Sequence, residues 1–230
     1  MTELFDYYRP SLAVRGIERR FPARRVFCVG WNYLDHIKEM DRKRVPQPPV
    51  FMKPADALLP DGGEIPFPAQ TRNLHHEVEL VVALQGGGLN IPAEEALGHV
   101  YGYGVGIDLT RRDLQEKARK GGEPWETSKS FDYSAPVSTL RRASGAGHPA
   151  KGRIWLAVNG EVRQEADLEN MIRKPGELIA QISLFFELKP GDVIFTGTPA
   201  GVGPVKPGDH VTAGVERVGD VHIKVGRPRS

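Results

Sequence analysis

Three acidic residues stand at positions that suit a metal site. Side chains alternate across a strand, so Glu77 and Glu79 share one face of the apolar pattern over residues 77–84. Asp108 lies near the end of a second predicted strand, Tyr101–Leu109. The other residues on its face of this strand are glycines, which imply close approach by backbone or by a ligand. Carboxylates from two strands suit Mg²⁺, Mn²⁺ or Ca²⁺. A solvated acidic face explains the same pattern, and the sequence leaves both interpretations open.

A histidine and a glutamate form a second candidate for chemistry. If the segment from about Tyr33 to Met40 is helical, His36 and Glu39 lie at i and i+3 and face the same side. A carboxylate beside an imidazole fixes its tautomer and raises its basicity, as the deprotonation of water requires. An ordinary surface His–Glu pair is the alternative.

The elements that must position these residues predict a β-rich α+β protein. No ordered series of βαβ units occurs, which disfavours a doubly wound sheet. Asn159-Gly160 predicts a tight hairpin turn, and Thr110 with Asp113 resembles a capping box. The predicted strands are Val26–Gly30, Glu77–Leu84, Tyr101–Leu109, Ile154–Val158 and Glu161–Gln164, and the predicted helices cover about 33–40, 93–99, 110–121 and 175–188.

The first 23 residues are predicted to form a peripheral N-terminal arm, followed by one catalytic domain over residues 24–227. The arm contains arginines at 15, 19 and 20, and two more follow at 24 and 25. A solvated face explains this run better than an anionic docking patch. The regular apolar pattern begins only after it.

Composition restricts the classes of partner. The chain has 230 residues with 31 Lys+Arg against 29 Asp+Glu, a formal net charge of +2, which demands neither a nucleic acid nor a membrane surface. No apolar run approaches the roughly 20 residues that span a bilayer. Cys28 is the single cysteine, so a reducing compartment fits best. We therefore expect a cytoplasmic protein.

As a set, the motifs of this chain resemble those of the fumarylacetoacetate hydrolase family, in particular its bacterial fumarylpyruvate hydrolases and acylpyruvases. The resemblance runs from about Val26 to Val225. It rests on Val29-Gly-x-Asn-Tyr33 with His36 and Glu39, Phe51-Met-Lys-Pro54, Asn73-Leu-His-His-Glu-x-Glu79, Gly106-x-Asp108-x-Thr-x-Arg-Asp-x-Gln115, Lys129-Ser-Phe131, Val158-Asn-Gly160 and Thr196-Gly-Thr-Pro-x-Gly-Val-Gly203.

The resemblance implies a fold with a central rolled mixed β-sheet, a homodimer and a role for each matching residue. The implied metal ligands are Glu77, Glu79 and Asp108, with Mg²⁺ expected and Mn²⁺ or Ca²⁺ possible. His36 and Glu39 match the pair that activates water, and Lys129 matches the lysine that stabilises an oxyanion. The residues that match contacts to the pyruvate end of the substrate are Arg112, Gln115 and Thr198. Trp31 departs from the family, whose members usually carry Arg or Leu there, and this difference bears on the shape of the pocket and on the choice of substrate.

The implied activity is metal-dependent hydrolysis of a carbon–carbon bond in a 2,4-diketo acid, foremost fumarylpyruvate to fumarate and pyruvate in the degradation of aromatic acids such as gentisate. Alternatives within the family are an acylpyruvase, an oxaloacetate decarboxylase or an isomerase of unsaturated 2-oxo diacids. A binding module that uses the arginine-rich N-terminal segment on nucleic acid or another anion is a different class, which the near-neutral charge disfavours.

Overall fold

The computed structural model describes residues 4, 6, 8–41, 43 and 45–228. These residues form short strands in mixed sheets, with short helices at the sheet edges. The predicted α+β class is confirmed.

A long mixed sheet forms the centre of the molecule. Its strand order is β4-β3-β15-β8-β9-β11-β5, and β12 pairs with β9. The strands are β3 Val26–Val29, β4 Val50–Lys53, β5 Leu58–Pro60, β8 Val78–Leu84, β9 Val100–Ile107, β11 Ala135–Val137, β12 Arg141–Arg142 and β15 Val193–Phe195. Most neighbours are antiparallel, whereas β15 runs parallel to β3 and β11 parallel to β5.

Three smaller sets of strands complete the sheets that the structure describes. An N-terminal hairpin consists of β1 Ser11–Val14 and β2 Ile17–Pro22. A second mixed sheet has the order β14-β13-β17-β18-β6, from β6 Glu64–Pro66, β13 Arg153–Val158, β14 Glu161–Asp167, β17 His210–Val215 and β18 Gly219–Gly226. A short ladder joins β10 Thr110–Arg111, β7 Leu74–His76 and β16 Gly203–Val205.

The helices are short. They are α1 Leu34–Glu39, α2 Ala93–Ala96, α3 Arg112–Gly121, α4 Glu126–Lys129, α5 Ala143–Ala146 and α6 Pro175–Ser183, with 3₁₀ turns at Ala55–Ala57, Leu97–His99 and Leu168–Asn170. Among the described residues, no helix has the length and apolar character needed to cross a membrane.

The paired strands β8 and β9 are buried on both faces. One face, with Leu80, Val105 and Ile107, packs against apolar residues of the second sheet. On the other face, Gly106 lies opposite Glu79, and a Cβ on this glycine would come within 2.5 Å of the Phe195 ring. The glycine face therefore allows close packing against protein atoms rather than against a ligand.

The N-terminal segment differs from the predicted peripheral arm. Leu12, Val14 and Phe21 of the hairpin are buried in a cluster with Val81 and Phe195, so the hairpin covers the second face of the long sheet. The arginines themselves mostly remain exposed, as a solvated face predicts. The apolar side chains of this segment alternate along only a few residues, which is too short a pattern to predict buried strands.

Most predicted elements have a counterpart in the structure. Asn159 and Gly160 have φ values of 52° and 83° and join β13 to β14 in the predicted hairpin. The predicted capping box is wrong: Thr110 belongs to β10, its hydroxyl donates to the carbonyl of Asp108, and α3 begins only at Arg112. The last predicted helix is also shorter, since α6 ends at Ser183.

We expect Leu12→Ala to destabilise the protein by about 2–5 kcal/mol, because it removes a side chain that is 1% exposed from a packed core. Leu4→Ala is the matched control, since Leu4 is 99% exposed. Urea unfolding of both variants measures the difference. Equal stability of the two variants would mean that the hairpin does not contribute to the core.

Candidate functional site

The adjacent ends of β8 and β9 bring the three predicted carboxylates together. Glu77 precedes β8, Glu79 lies within it, and Asp108 follows β9. The strands are antiparallel, and the amide of Asp108 donates to the carbonyl of Glu77 at 2.8 Å. All three carboxylates are buried, and each offers an oxygen within 4.8 Å of the others.

Buried cations surround these carboxylates. The Nζ of Lys129 lies 2.8 Å from Glu77 Oε2 and 2.6 Å from Asp108 Oδ2, and Arg112 pairs with the other oxygen of Glu77. Lys53 Nζ lies 2.9 Å from Asp108 Oδ1. An ionised carboxylate is costly to bury without such partners. The cations therefore make the acidic cluster compatible with the protein interior.

The carboxylates differ in their tendency to ionise. Burial raises the pKa of Glu77, but Lys129 and Arg112 together hold that pKa well below its usual range. Burial and the negative charges of Asp108 and Glu77 raise the pKa of Glu79 well above its usual value. Burial lowers the pKa of Lys129, but its two carboxylate partners raise that pKa on balance, so the ammonium stays charged. Glu79 thus holds a proton more readily than Glu77 does.

A sharp turn after β15 completes the surroundings of Glu79. The amide of Gly197 donates to Glu79 Oε2 at 2.6 Å. Gly197 has φ of 95°, and a Cβ there would lie 2.7 Å from the Cβ of Asn32. Only glycine satisfies both conditions without strain. Asn32 in turn donates to the carbonyl of Thr196 at 2.8 Å, which holds the turn against the segment before α1.

The donor set fits a hard divalent cation. It consists of carboxylate oxygens, which Mg²⁺ and Mn²⁺ prefer. Among the described residues, the cluster contains no thiolate and no imidazole. Asp108 Oδ1 is buried and accepts no hydrogen bond from the described residues, although the charge of Lys53 is close. A buried oxygen in this state is available to a metal ion. Glu77, Glu79 and Asp108 could therefore hold one.

The predicted His36–Glu39 pair forms on α1, and its histidine lines the same cleft. His36 is 5% exposed, and its Nδ1 lies 2.9 Å from Glu39 Oε2. The other oxygen of Glu39 accepts the amide of Gly201 at 2.9 Å. Burial raises the pKa of Glu39, but the hydrogen bonds from His36 and Gly201 lower it overall, so the carboxylate is ionised. With Nδ1 donating to this carboxylate, Nε2 is left with a lone pair that can accept a proton.

The remaining predicted substrate contacts also line the cleft. Arg112 and Gln115 lie on successive turns of α3, and a guanidinium nitrogen of Arg112 donates to the side-chain carbonyl of Gln115. The Thr198 hydroxyl accepts a hydrogen bond of 2.8 Å from Gln164. The structure thus brings together all nine residues singled out in the sequence. Glu39 is not in the cleft wall but contacts His36, which is. The eight residues that line the cleft are His36, Glu77, Glu79, Asp108, Arg112, Gln115, Lys129 and Thr198.

The cavity between these residues has a volume of about 30 Å³, space for about two water molecules. Its outer wall is largely apolar and aromatic, from Trp31, Met40, Phe51 and Trp125. Trp31 has φ of 57°, an uncommon conformation for a bulky residue, and such strain clusters at functional sites. The site is therefore charged at its base and aromatic at its mouth.

Two cations of the site were missed in the sequence. Lys53 is 1% exposed and donates to the carbonyl of Leu109 and to the Ser134 hydroxyl, and only the tertiary fold brings these groups together. Arg119 lines the cleft two turns after Arg112 on α3. The sequence could have indicated Arg119, because residues at i, i+3 and i+7 share a helix face.

Comparison with known families agrees with this geometry. The family described as fumarylacetoacetate (FAA) hydrolase C-terminal matches residues 25–226. The chain belongs to the fumarylacetoacetate hydrolase family. The resemblance inferred from the motifs is therefore confirmed, and so is the expected fold with its curled mixed sheet.

Similar members of the fumarylacetoacetate hydrolase family carry two different names. The fumarylpyruvate hydrolase of Pseudomonas aeruginosa, solved in complex with Mn²⁺ and pyruvate, has a TM-score of 0.96 and 46% identity, covering 98% of this chain and 100% of that one. Mitochondrial oxaloacetate tautomerase FAHD1 of Mus musculus is 44% identical over 88% of this chain and 91% of its own. Oxaloacetate tautomerase YcgM of Escherichia coli is 45% identical over 84% and 88%, respectively.

Removing Lys53 should destabilise the fold. We expect Lys53→Met to cost about 3–5 kcal/mol, because Asp108 then lies buried with one cation fewer. Lys224→Met is the matched control, since the Lys224–Glu64 pair is about half exposed and should contribute less than about 1 kcal/mol. Urea unfolding of both variants checks the prediction. A Lys53→Met protein as stable as the control would show that the cluster does not need this charge.

Proposed function

We propose that the protein is a divalent-metal-dependent hydrolase of fumarylpyruvate, which it cleaves to fumarate and pyruvate. The observation that carries the proposal is the buried acidic cluster, Glu77, Glu79 and Asp108, in one cleft with His36, whose ring is hydrogen-bonded to Glu39. The similarity to the Pseudomonas aeruginosa enzyme over nearly the whole chain supports it.

The charges of the cleft fit an anionic substrate. The carboxylates of Glu77, Glu79 and Asp108 are matched by the charges of Lys53, Lys129 and Arg112. A divalent cation held by the ionised carboxylates would leave this group with a net charge of about +2. The enolate of a 2-oxo acid carries a carboxylate and an enolate oxygen. A site of this charge stabilises such a dianion.

The chain's own residues account for each proton transfer in the hydrolysis. When bound at the carboxylates, the metal ion supplies Lewis acidity toward the 2-oxo acid end of the substrate. His36 takes a proton from water at Nε2, while Glu39 holds the ring by Nδ1. The water oxygen adds to the C4 carbonyl, and the Lys129 ammonium stabilises the oxyanion. Cleavage of the C3–C4 bond then leaves pyruvate as its enolate, whose C3 receives the proton that His36 took from water.

Oxaloacetate tautomerisation is a second candidate. The curated relatives from Mus musculus and Escherichia coli that bear this name are 44% and 45% identical to this chain. Tautomerisation needs a base that moves a proton between C3 and the 2-oxo oxygen, but it needs no attacking water. The His36–Glu39 pair suits this transfer as well, so the geometry of the base alone does not separate the two activities.

Parallel assays on one preparation with saturating Mg²⁺ or Mn²⁺ test the proposal. We expect kcat/KM to be higher for cleavage of fumarylpyruvate than for cleavage of acetylpyruvate, and oxaloacetate to be a poor substrate both for enol–keto conversion and for loss of CO₂. Faster conversion of oxaloacetate than of fumarylpyruvate would assign the protein to the tautomerases. Faster decarboxylation or acetylpyruvate cleavage would assign it to the other activities of the family.

Metal affinity should rise with pH. Glu79 holds a proton on the acidic side of its raised pKa, and the metal must displace that proton. We expect Mn²⁺ affinity to increase about tenfold per pH unit in that range, with about one proton released per ion. Calorimetric titrations in buffers of different ionisation enthalpy, in steps from about pH 5, measure both quantities. Affinity independent of pH, with no proton released, would contradict the predicted ligand role of Glu79.

The loss of His36 should lower turnover rather than binding. We expect His36→Gln to reduce kcat by about 10²- to 10⁴-fold, the range for general base catalysis, while Mn²⁺ and oxalate still bind. His222→Gln is the matched control, because His222 is largely exposed and distant in sequence. Steady-state kinetics and calorimetry of both variants give the comparison. Full turnover in His36→Gln would place the base elsewhere.

We also propose the homodimer and the cytoplasmic location that the sequence analysis predicts. Light scattering during gel filtration measures the assembly, and a monomer at micromolar concentration would reject the dimer. Cell fractionation addresses the location.

A further inference from the structure

Helix α3 presents a row of polar side chains to the cleft. Arg112, Gln115 and Arg119 occupy positions i, i+3 and i+7 of this helix, and all three line the cleft. The hydrogen bonds of Arg112 to Glu77 and Gln115 place it at the base, beside the carboxylate cluster. Arg119 lies two turns further along, about 10 Å by the rise of an α-helix. The row therefore runs from the metal-binding end of the cleft outward.

The wall near the mouth is apolar except for this arginine. Trp31, Met40, Phe51 and Trp125 line it, and Arg119 is half-buried among the lining residues. A carboxylate that enters such a cleft loses water and needs a cation in exchange. A guanidinium forms two parallel hydrogen bonds with a carboxylate, which also fixes the orientation of the ligand.

We propose that Arg119 binds the second carboxylate of an extended dicarboxylic 2-oxo acid and selects substrates that carry one. The proposal rests on the proposed function, because it assumes that the pyruvate end of the substrate lies at the base of the cleft. Arg119 is then a specificity-determining residue, and it takes no part in the proton transfers of His36 or in the charge stabilisation by Lys129.

The length of the substrate sets how far its second carboxylate lies from the base of the cleft. The carboxylates of fumarylpyruvate are separated by six carbon–carbon bonds, roughly 7 Å in an extended chain, and those of oxaloacetate by three bonds, roughly 4 Å. A hydrogen bond of about 3 Å at each end brings these spans to about 13 Å and about 10 Å, compared with a rise of about 10 Å along α3 from Arg112 to Arg119. Acetylpyruvate is long enough to enter the cleft but has no second carboxylate.

Binding of two seven-carbon ligands tests the proposal without turnover. 2-Oxoheptanedioate and 2-oxoheptanoate differ in one terminal carboxylate, and both lack the 4-oxo group at which hydrolysis occurs. Calorimetry on the Mn²⁺-loaded enzyme should show at least about tenfold tighter binding of the diacid, as expected for a charge-assisted contact. Arg119→Gln should remove this preference and leave the affinity for 2-oxoheptanoate unchanged. Arg119→Lys should restore part of the preference.

Steady-state kinetics provides the second readout. In Arg119→Gln we expect kcat/KM for fumarylpyruvate to fall about 10- to 100-fold, mainly through KM, with acetylpyruvate changed less than about twofold. Lys120→Gln is the matched control, because Lys120 is the exposed neighbour on the same helix. Equal losses on both substrates, or equal affinity of Arg119→Gln and the unaltered protein for the diacid, would overturn the proposal. An unaltered protein that prefers the diacid but does not cleave fumarylpyruvate would refute the proposed function instead.

Discussion

Compensation of buried negative charge is the constraint on which this structure depends. Glu77, Glu79 and Asp108 converge at the ends of two hydrogen-bonded strands inside the protein, where ionised carboxylates are costly without partners. The elements around them supply these partners: Lys53 ends β4, Arg112 begins α3, and Lys129 ends α4. The arrangement of short helices around the long sheet follows from this need as much as from the burial of apolar surface.

The two halves of the cleft contribute different properties. At the base, charged groups connect different elements; Lys53, for example, contacts residues that follow β9 and α4. At one side of it, Glu39 connects α1 to the loop at Gly201 and so holds His36 in place. The mouth consists mainly of aromatic and apolar side chains, which exclude water and strengthen the electrostatic interactions below.

The parts of the site that could be predicted depend on local spacing. The alternation of Glu77 and Glu79 and the helical spacing of His36 and Glu39 are properties of a few consecutive residues, and the resemblance to a family assigned Lys129 and Arg112. Lys53 could not be found in this way, because its acceptors come from segments distant in the sequence. The capping box failed for a related reason, since pairing of β10 with β7 takes Thr110 away from the helix. Propensity and spacing do not register such competition from tertiary contacts.

The N-terminal hairpin has a consequence for the order in which the chain folds. Val14 pairs with Leu140, and the neighbouring amides of Arg15 and Leu140 donate across the same junction. During synthesis the strands of the hairpin therefore leave the ribosome long before the segment around Leu140 is made. Until then, their apolar side chains have no surface to pack against. Pairing between segments that are distant in sequence slows folding and prolongs the exposure of aggregation-prone intermediates. A circularly permuted chain that carries the hairpin at its C-terminal end would be synthesised with the docking surface of the hairpin already present.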